Sequence, residues 1–482
     1  MEKFYGVRAI EQPTTVAVPS IARSGITIAF GTAPIHQTDA KPNTIVAAYN
    51  YEEAVSALGY SDDWEKYTLC EVMYSHFKLY GVAPLLLVNV LDPEVHKQEV
   101  AAQEYTIEDW QVKITGDAIA PTIVVSSGDT TFAAGEDYDV FYANGKCIIE
   151  TLPTGAIETA NLTTLTVSYS EASFALDDIV NDVIGGYNVR TGVSTGLELM
   201  DSAFSATGVL PDIMIAPGFS QHPEVAAVMA AKTMYSTVFR ACCICDIDTA
   251  EATGHQQAID LKNATAAFQN KKQIMCWPML KLEDLTFRYS TQLAGQMCAV
   301  DTDNDNIPSD VASNRVLQAD GAVLADGTEV LLDLTQANYL RGQGIVTAYN
   351  FVNGFTSWGV YTGCYPKNID PKDMFISVMR MFGYVANTAI VTLWKKIDRK
   401  LTMRYVESIV DELNMWLNGL TSAEHLHGAR VEFRSDENPL EDIMSGIVRL
   451  HIYMAPPTPG QEIDLLLEYD ASYVSAAFGL ES

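Results

Sequence analysis

The sequence predicts an α/β core domain with a parallel-type sheet, an inserted small all-β domain, and an α+β C-terminal domain with extended terminal arms. Three observations predict this class. Apolar strand-like runs alternate with helix-length segments in two stretches of the 482-residue chain, and a Thr-, Val- and Gly-rich segment separates the two stretches. A strand-like segment then follows a Pro-rich joint near the end of the chain.

The core is predicted from short apolar runs with helices between them. "APLLLVNVL" (83–91), "PDIMIAPG" (211–218) and "FRACCICDI" (239–247) are typical of buried strands, and "HPEVAAVMAAKTMYS" (222–236) is typical of a crossover helix. Strands that alternate with helices imply a parallel sheet with right-handed crossovers. The first run therefore belongs to the same sheet as the later two.

The inserted domain is predicted for the segment between the two parts of the core. Residues 105–172 are dense in β-forming residues, and Asn144-Gly145 stands between two alternating runs. Asn-Gly in that setting is a strong β-hairpin signal.

The C-terminal region begins with two predicted long helices, at 371–394 and 401–420, and ends in a predicted arm. After Pro456, Pro457 and Pro459, apolar and acidic residues alternate as in a half-buried strand. The apolar members are Ile463, Leu465, Leu467 and Tyr469. Ordering nine residues costs roughly 9–18 kcal/mol of backbone entropy. Neither the hydrogen bonds to a neighbouring strand nor the burial of apolar side chains offsets this cost alone, but the two together can. We therefore expect a strand where the segment meets a sheet edge and a free arm elsewhere. The extended stretch 14–30 is a second candidate arm.

These patterns predict six segments. They are an N-terminal extended arm (1–33), the first part of the core (34–100), an inserted β-sandwich or barrel-like domain (101–175), the second part of the core (176–354), the C-terminal α+β domain (355–460) and a strand-exchange arm (461–482).

Net charge and composition limit the classes of function that we expect. A net charge of −31 repels phosphate backbones, so direct nucleic-acid binding is not expected. The first ten residues have no signal-peptide pattern, the longest apolar run (81–91) is about half of a membrane span, and eight cysteines are scattered. We expect a soluble, reduced, intracellular protein.

Several motifs resemble chemical sites but are incomplete. "DTDNDNIPSDVA" (301–312) has neither the glycine nor the final glutamate of a calcium loop, "CCIC" (242–245) lies within an apolar strand, and "HLH" (425–427) has no third ligand nearby. "NGKC" (144–147) has only the end of a phosphate loop, and "GGYNVRTGVSTG" (185–196) follows a helix-like stretch where a strand is required. We expect no enzyme, cofactor or metal site.

One basic cluster interrupts the acidic chain. Within "WKKIDRKLTMR" (394–404) its members are Lys395, Lys396, Arg399, Lys400 and Arg404. At helical pitch Lys396, Arg399 and Lys400 share one face. The cluster is either an ordinary solvated helix face or a docking surface for an acidic partner.

Ordered segments along nearly the whole chain resemble the tail sheath proteins of contractile phage tails and phage tail-like bacteriocins. They include "GITIAFGTAP" (25–34), "STQLAGQMCAVDTDN" (290–304) and "NYLRGQGIVTA" (338–348). The most similar are "VMRMFGYVANTAI" (378–390) and the run 443–470. "CAVD" (298–301) and "WGVYTG" (358–363) depart from the family's usual "ARTD" and "WGARTL"-like segments and indicate a divergent branch.

The resemblance implies a structural subunit that forms stacked hexameric rings around an inner tube by inter-subunit β-strand exchange. Contraction of such a sheath drives the tube through a bacterial envelope. The implied partners are further copies of the chain, the tube protein, and baseplate and tail terminator proteins, without direct nucleic-acid or membrane contact. The implied location is a virion or tail-like particle assembled in the host bacterial cytoplasm, with the C-terminal part against the tube and the inserted domain outward.

Two other classes stay open at this point. A lattice protein of the S-layer or capsid kind would also be linked by strand exchange, but it would form flat sheets or shells. An α/β enzyme that binds nucleotide at 185–196 would be a discrete monomer.

Overall fold

A computed structural model of the chain describes residues 22–173, 176–235, 239–352 and 354–479. The first part of the core contains three strands and two helices. They are β1 (Thr27–Gly31), β2 (Ile45–Ala48), α1 (Tyr51–Leu58), α2 (Thr68–Met73) and β3 (Leu85–Asn89), and a π-helical turn (Tyr74–Leu79) continues α2. The side chain of Asn50 accepts a hydrogen bond from the backbone N–H of Glu53 and caps α1, as Asn does at helix N-termini.

The segment that follows folds as two small antiparallel sheets. Its elements are β4 (Lys97–Thr106), β5 (Gln111–Thr115), β6 (Val124–Ser127), β7 (Thr130–Thr131), β8 (Tyr138–Ala143), β9 (Lys146–Thr151), α3 (Ala156–Thr159) and β10 (Thr164–Ala172). One sheet has the order β4-β10-β6-β7 and the other β5-β9-β8, and a separate apolar cluster lies between them. The predicted hairpin at Asn144-Gly145 is confirmed, because Ala143 pairs with Lys146 and both turn residues have positive φ.

The chain then returns to the core. Its elements are α4 (Leu176–Ile184), β11 (Gly186–Asn188), β12 (Val193–Thr195), α5 (Ala203–Thr207), β13 (Ile213–Ile215), α6 (Pro223–Tyr235), β14 (Cys242–Asp246), α7 (His255–Ala264), β15 (Gln273–Cys276), β16 (Met279–Leu282), β17 (Leu285–Phe287), α8 (Tyr289–Asp303), β18 (Gly321–Val323), α9 (Leu334–Arg341), β19 (Ile345–Phe351) and β20 (Gly354–Trp358).

The C-terminal region comprises α10 (Pro371–Met374), α11 (Ile376–Trp394), α12 (Met403–Ser422), β21 (Gly428–Phe433), α13 (Leu440–Met444), β22 (Leu450–Ala455) and α14 (Ala471–Ala477). The helix α11 is long and apolar enough to cross a membrane, but 61% of its apolar window is buried against the rest of the protein. It is therefore well explained as a core helix.

The main sheet has eight strands in the order β2-β3-β1-β13-β14-β15-β19-β20. Its six central strands are parallel, and β2 and β20 are antiparallel at the edges. Every residue of β1, β3, β13, β14 and β15 is buried, as expected of strands covered on both faces. The mixed α/β class predicted from the sequence is confirmed.

The strand β1 corrects one predicted boundary. Residues 27–31 lie between β3 and β13 in the middle of the sheet, so the predicted N-terminal arms at 1–33 and 14–30 include a core strand. The sequence "TIAFG" lacks polar alternation, which is typical of a strand buried on both faces. The part of the predicted arm at 1–21 lies outside the described residues.

A cluster of polar contacts joins the two-sheet segment to the core. The carboxylate of Asp117 accepts hydrogen bonds from Lys66 Nζ and the Tyr67 hydroxyl, both at 2.8 Å. The Nε2 atom of His36 lies 2.9 Å from the carbonyl oxygen of Gly116. The segment is thus held at its base by specific contacts rather than by its termini alone.

His76 provides a pH test of the core. Burial lowers the pKa of His76 to about 4, below its usual 6.5. Between these values the unfolded chain binds the proton and the folded chain does not, so stability falls as the pH falls. We expect the free energy of unfolding to drop by about 2 kcal/mol between pH 7 and pH 5 because of this residue.

Urea unfolding of the wild type and His76→Leu at both pH values measures the difference. The variant should lose about 2 kcal/mol less than the wild type, whereas His427→Leu, at an exposed position, should behave as the wild type does. Equal losses in all three proteins would contradict this account.

Candidate assembly interface

The predicted C-terminal arm projects from the single chain. Residues 456–470 form no strand, and the arm's large apolar side chains are exposed. The exposed fractions are 87% for Ile463, 81% for Leu465, 95% for Leu466, 94% for Leu467 and 82% for Tyr469. Surfaces of this kind mark interaction sites. Strand formation by the arm stays a prediction, since the arm pairs with no strand in the described part of the chain.

The two-stranded sheet of β21 and β22 has one edge that is capped and one that is open. Asn414, on α12, donates from Nδ2 to the carbonyl oxygen of Val431 at 3.0 Å and accepts from its N–H at 2.7 Å. In an antiparallel pair a residue's N–H and C=O point to the same side, so these groups of Val431 face away from β22. The side chain of Asn414 therefore occupies the outer edge of β21.

The outer edge of β22 has no such cap. Ile452 lies opposite Val431, so its N–H and C=O also point outward, toward the free side of β22. Among the described residues no strand pairs there. Leu450, Ile452 and Met454 pack with Val431 on the buried stripe of α12, which gives this sheet an apolar floor.

The buried stripe itself follows from the sequence of α12. Its buried members are Val406, Leu413, Trp416, Leu417 and Leu420. Their spacing places them along one face of the helix. The apolar stripe of α12 therefore covers one face of the β21–β22 sheet.

The basic cluster lies in a joint between two helices, which corrects the predicted helix face. The helix α11 ends at Trp394, Asp398 has a φ of 63°, and the Thr402 side chain caps the start of α12. A positive φ and a new N-cap break the helical pitch. Lys396, Arg399 and Lys400 therefore do not share a helix face.

Four of the five cationic residues remain available, three in this joint and Arg404 in the first turn of α12. Lys396 forms an ion pair with Glu412 and accepts a hydrogen bond at its carbonyl oxygen from the Tyr405 hydroxyl at 2.6 Å. The exposed members are Lys395, Arg399, Lys400 and Arg404. In the part of the chain that the structure describes, none of these four pairs with a carboxylate. Trp394 and Ile397 beside them are 71% and 64% exposed.

A buried ionic cluster fastens α11 to the core. Arg380 contacts Asp212 through Nη2 at 2.8 Å and Asp301 through Nη1 at 3.0 Å, and Asp301 also accepts from the Ser24 hydroxyl at 2.5 Å. Burial raises the pKa of Asp301, and the Arg380 guanidinium opposes that rise. Burial acts to lower the pKa of Arg380, but Asp301 and Asp212 overcome it and hold the pKa well above its ordinary value. The cluster also holds the chain where the predicted N-terminal arm enters the core.

The incomplete motifs take structural roles. Asp301, from the calcium-like stretch, is the buried partner of Arg380, and His425 is buried with Nδ1 at 2.8 Å from the Ser309 hydroxyl while His427 is exposed. All three cysteines of "CCIC" are buried in β14. Over the described ranges no group of three or more His, Cys, Asp or Glu residues is placed to hold a metal.

The glycine-rich stretch 185–196 forms the β11–β12 hairpin, which differs from the strand-to-helix turn of a phosphate loop. A Cβ on Gly185 would lie 2.0 Å from the carbonyl oxygen of Thr195, and one on Gly196 would lie 2.4 Å from that of Asp182. Close backbone packing at the base of the hairpin explains both glycines.

A cavity of about 690 Å³ lies at the carboxyl ends of β13, β14 and β15, where α/β enzymes bind ligands. Its walls carry Asp62, Asp63, Asp248 and Asp284. Its two cationic side chains are already paired: Arg288 with buried Glu71 at 2.9 Å, and Lys66 with Asp117 at 2.8 Å. An acidic wall of this kind is unsuited to a nucleotide phosphate.

The chain resembles known proteins over its whole length. It is 24% identical to the tail sheath protein of Burkholderia phage BcepMu over 487 aligned residues, covering 98% of this chain and 97% of that protein. The chain is therefore similar to a phage tail sheath protein over nearly its full length. The tail sheath protein of Escherichia phage P2 is 25% identical over 308 residues, covering 62% of this chain and 73% of that protein. No protein-family model matches the chain.

Solved sheath structures share the fold. The contracted sheath of the PVC extracellular contractile injection system matches with a TM-score of 0.57 at 14% identity, over 98% of this chain and 99% of that one. The contracted helical sheath of the anti-feeding prophage gives 0.57 at 13% identity, over 98% and 100%. The crystal structure of a sheath tail protein from Desulfitobacterium hafniense gives 0.51 at 12% identity, over 94% and 96%.

The relatives and the structures with the same fold belong to one class of protein. The phage relatives are structural tail sheath proteins, and the solved structures that share the fold are sheath subunits of contractile injection systems. The similarity recognised from the sequence is thereby confirmed.

Proposed function

We propose that this sheath homologue polymerises as stacked hexameric rings around an inner tube, and that its contraction drives the tube through a bacterial envelope. The observation that carries the proposal is the exposed apolar alternation at Ile463, Leu465, Leu467 and Tyr469. A segment that needs a sheet edge and pairs with none in the described chain can link one subunit to the next. Baseplate, terminator and tube proteins are the further partners, and assembly takes place in the host cytoplasm.

The open edge of β22 is the acceptor that we propose for the arm. It offers outward N–H and C=O groups at Ile452 and an apolar floor on α12. Addition of the arm would extend a two-stranded sheet to three strands. The N-terminal arm is proposed to take part in the same mesh.

The division into core, inserted and C-terminal domains also belongs to this proposal. The inserted two-sheet domain has its own apolar cluster and faces outward in the particle, and the C-terminal domain lies against the tube.

Electron microscopy of a truncated chain tests polymerisation by the arm. The full-length chain should form hollow ringed tubes, and a chain that ends at Pro459 should stay monomeric because it has no strand to exchange. Flat sheets or closed shells from the full-length protein would favour the lattice class. Tubes of equal length from both proteins would refute a role for the arm.

The basic joint is the tube-docking surface in this proposal. Lys395, Arg399, Lys400 and Arg404 are exposed, while Lys396 is engaged with Glu412 and serves to fix the joint. Cations clustered on an acidic protein steer and orient an acidic partner. Trp394 and Ile397 add apolar contact area at the same place.

Charge reversal tests this docking surface. The variant with Glu at the four exposed positions should co-sediment with preformed tubes at least about tenfold less well, because rim charges orient contact and repulsion opposes it. Glu at Lys97, Lys113, Lys146 and Arg190 is a matched control with the same charge change at other exposed positions. If the two variants bind tubes equally, docking is not local to the joint.

A further inference from the structure

The arm needs a cover before assembly. The arm carries five large apolar side chains that are between 81% and 95% exposed. Together they form a contiguous apolar surface on each free subunit. Monomeric soluble proteins rarely expose such a patch without association. A sheath subunit, in contrast, has to stay soluble until it meets the growing end.

An aromatic groove lies where the arm begins. It encloses about 890 Å³ between α9, β19 and β20. Its walls include Leu334, Tyr349, Phe351, Val352, Trp358, Tyr361 and Tyr365. Phe351 and Val352 are 70% and 77% exposed, and Phe351 stacks on Tyr349 with ring centroids 5.7 Å apart. The groove therefore offers apolar surface that the described chain leaves uncovered.

The arm is continuous with this groove. Gln461 and Glu462 line its rim, and the Tyr361 hydroxyl donates to Gln461 Oε1 at 2.6 Å. Residues 463–469 in extended form span about 23 Å. The segment can therefore lie along the groove without any change before Gln461, and its tether keeps its local concentration high.

Charge also matches the arm to the groove. The guanidinium of Arg341 lies 4.6 Å from the centre of the Trp358 ring and makes no ion pair with any carboxylate in the described ranges. Burial lowers the pKa of Arg341. The acidic members of the arm are Glu462, Asp464, Glu468 and Asp470. An acidic arm supplies the counter-charge that this guanidinium lacks.

We propose that in the free subunit the arm (463–469) lies in the aromatic groove of its own chain. The apolar side chains then contact Tyr349, Phe351 and Trp358, and the acidic ones face Arg341. The groove competes with a neighbour's β22 edge, so it delays polymerisation and keeps the subunit soluble. This inference rests on the proposed function, because it assumes that the arm later leaves the groove for another subunit.

Cross-linking within the full-length monomer tests the inference. All eight native cysteines are buried, so cysteines introduced at Val352 and Leu466 are the reactive ones. Leu466 breaks the arm's apolar alternation, and its substitution leaves the four alternating side chains in place. A short bismaleimide on dilute Val352→Cys/Leu466→Cys should give an intrachain product about tenfold faster than on Val95→Cys/Leu466→Cys. Val95 is an exposed control, at 69%.

The outcomes separate this inference from the proposed function. Equal rates for the two pairs, or products that join only two different chains, would overturn the groove as the arm's site. Tube formation without the intrachain product would leave the sheath proposal standing and refute only the groove. An intrachain product from a protein that never forms tubes would support the groove and refute polymerisation.

Discussion

Replacing Arg380 with methionine should lower the free energy of unfolding by about 3–5 kcal/mol. Arg380 is 6% exposed, and its guanidinium is shared by Asp212 and by fully buried Asp301. Removal of the cation leaves two carboxylates in a region of low dielectric, and breaking a buried ion pair from one side is strongly destabilising. Chemical denaturation monitored by circular dichroism measures the loss.

An exposed ion pair provides the matched control. Arg315 pairs with Asp310, and both side chains are about half exposed. Such surface pairs contribute about 1 kcal/mol or less, so Arg315→Met should have little effect. Adding Asp301→Asn to Arg380→Met should restore part of the loss, because the amide carries no charge. If Arg380→Met and Arg315→Met were equally stable, the cluster would not hold α11 to the core.

Leu465→Ser combined with Leu467→Ser should raise the critical concentration for polymerisation by about 100-fold or more. Burial of each leucine contributes roughly 1.5–3 kcal/mol, and 2.8 kcal/mol corresponds to about a 100-fold change in an equilibrium constant. Both side chains are exposed and belong to no core cluster of the described chain, so folding of the subunit should be unchanged. Sedimentation at a series of protein concentrations measures the critical concentration.

The other face of the same arm supplies the control. Asp464→Ser combined with Glu468→Ser changes two exposed residues of the same arm, on either side of the two leucines, without removing apolar contacts. We expect a shift below about tenfold, as for rim positions. Equal effects of the two double variants would show that the arm's apolar face does not enter a neighbouring subunit.

Periodicity in the sequence was sufficient for the core and the long helices. Continuous apolar runs such as 211–218 and 239–247 correspond to β13 and β14, and the amphipathic pattern at 401–420 corresponds to α12. Asn144-Gly145 marked its hairpin because few dipeptides adopt two successive positive φ values easily. These features are local, and local chemistry determines them.

Other features depend on partners distant in sequence. The run 27–31 was assigned to an arm because its two neighbours in the sheet, β3 and β13, follow far along the chain. The helix face predicted for the basic residues of 394–404 is wrong because Asp398 has a positive φ and a new helix begins after Thr402.

Arg380 and Asn414 were missed as structural residues. A single charge within the apolar stretch "VMRMFGYV" (378–385) was the available signal for Arg380. For Asn414 no sequence pattern indicated that its amide would cap the edge of β21. That contact joins a helix to a strand further along the chain.

The most direct test of strand exchange is a helical reconstruction of assembled protein by cryo-electron microscopy. We expect continuous density from β22 through Pro459 into a strand at 463–469 that pairs with the open edge of β22 in a neighbouring subunit. Density that returns the arm to its own β22, or that leaves it unpaired on the particle surface, would contradict strand exchange as the link between subunits.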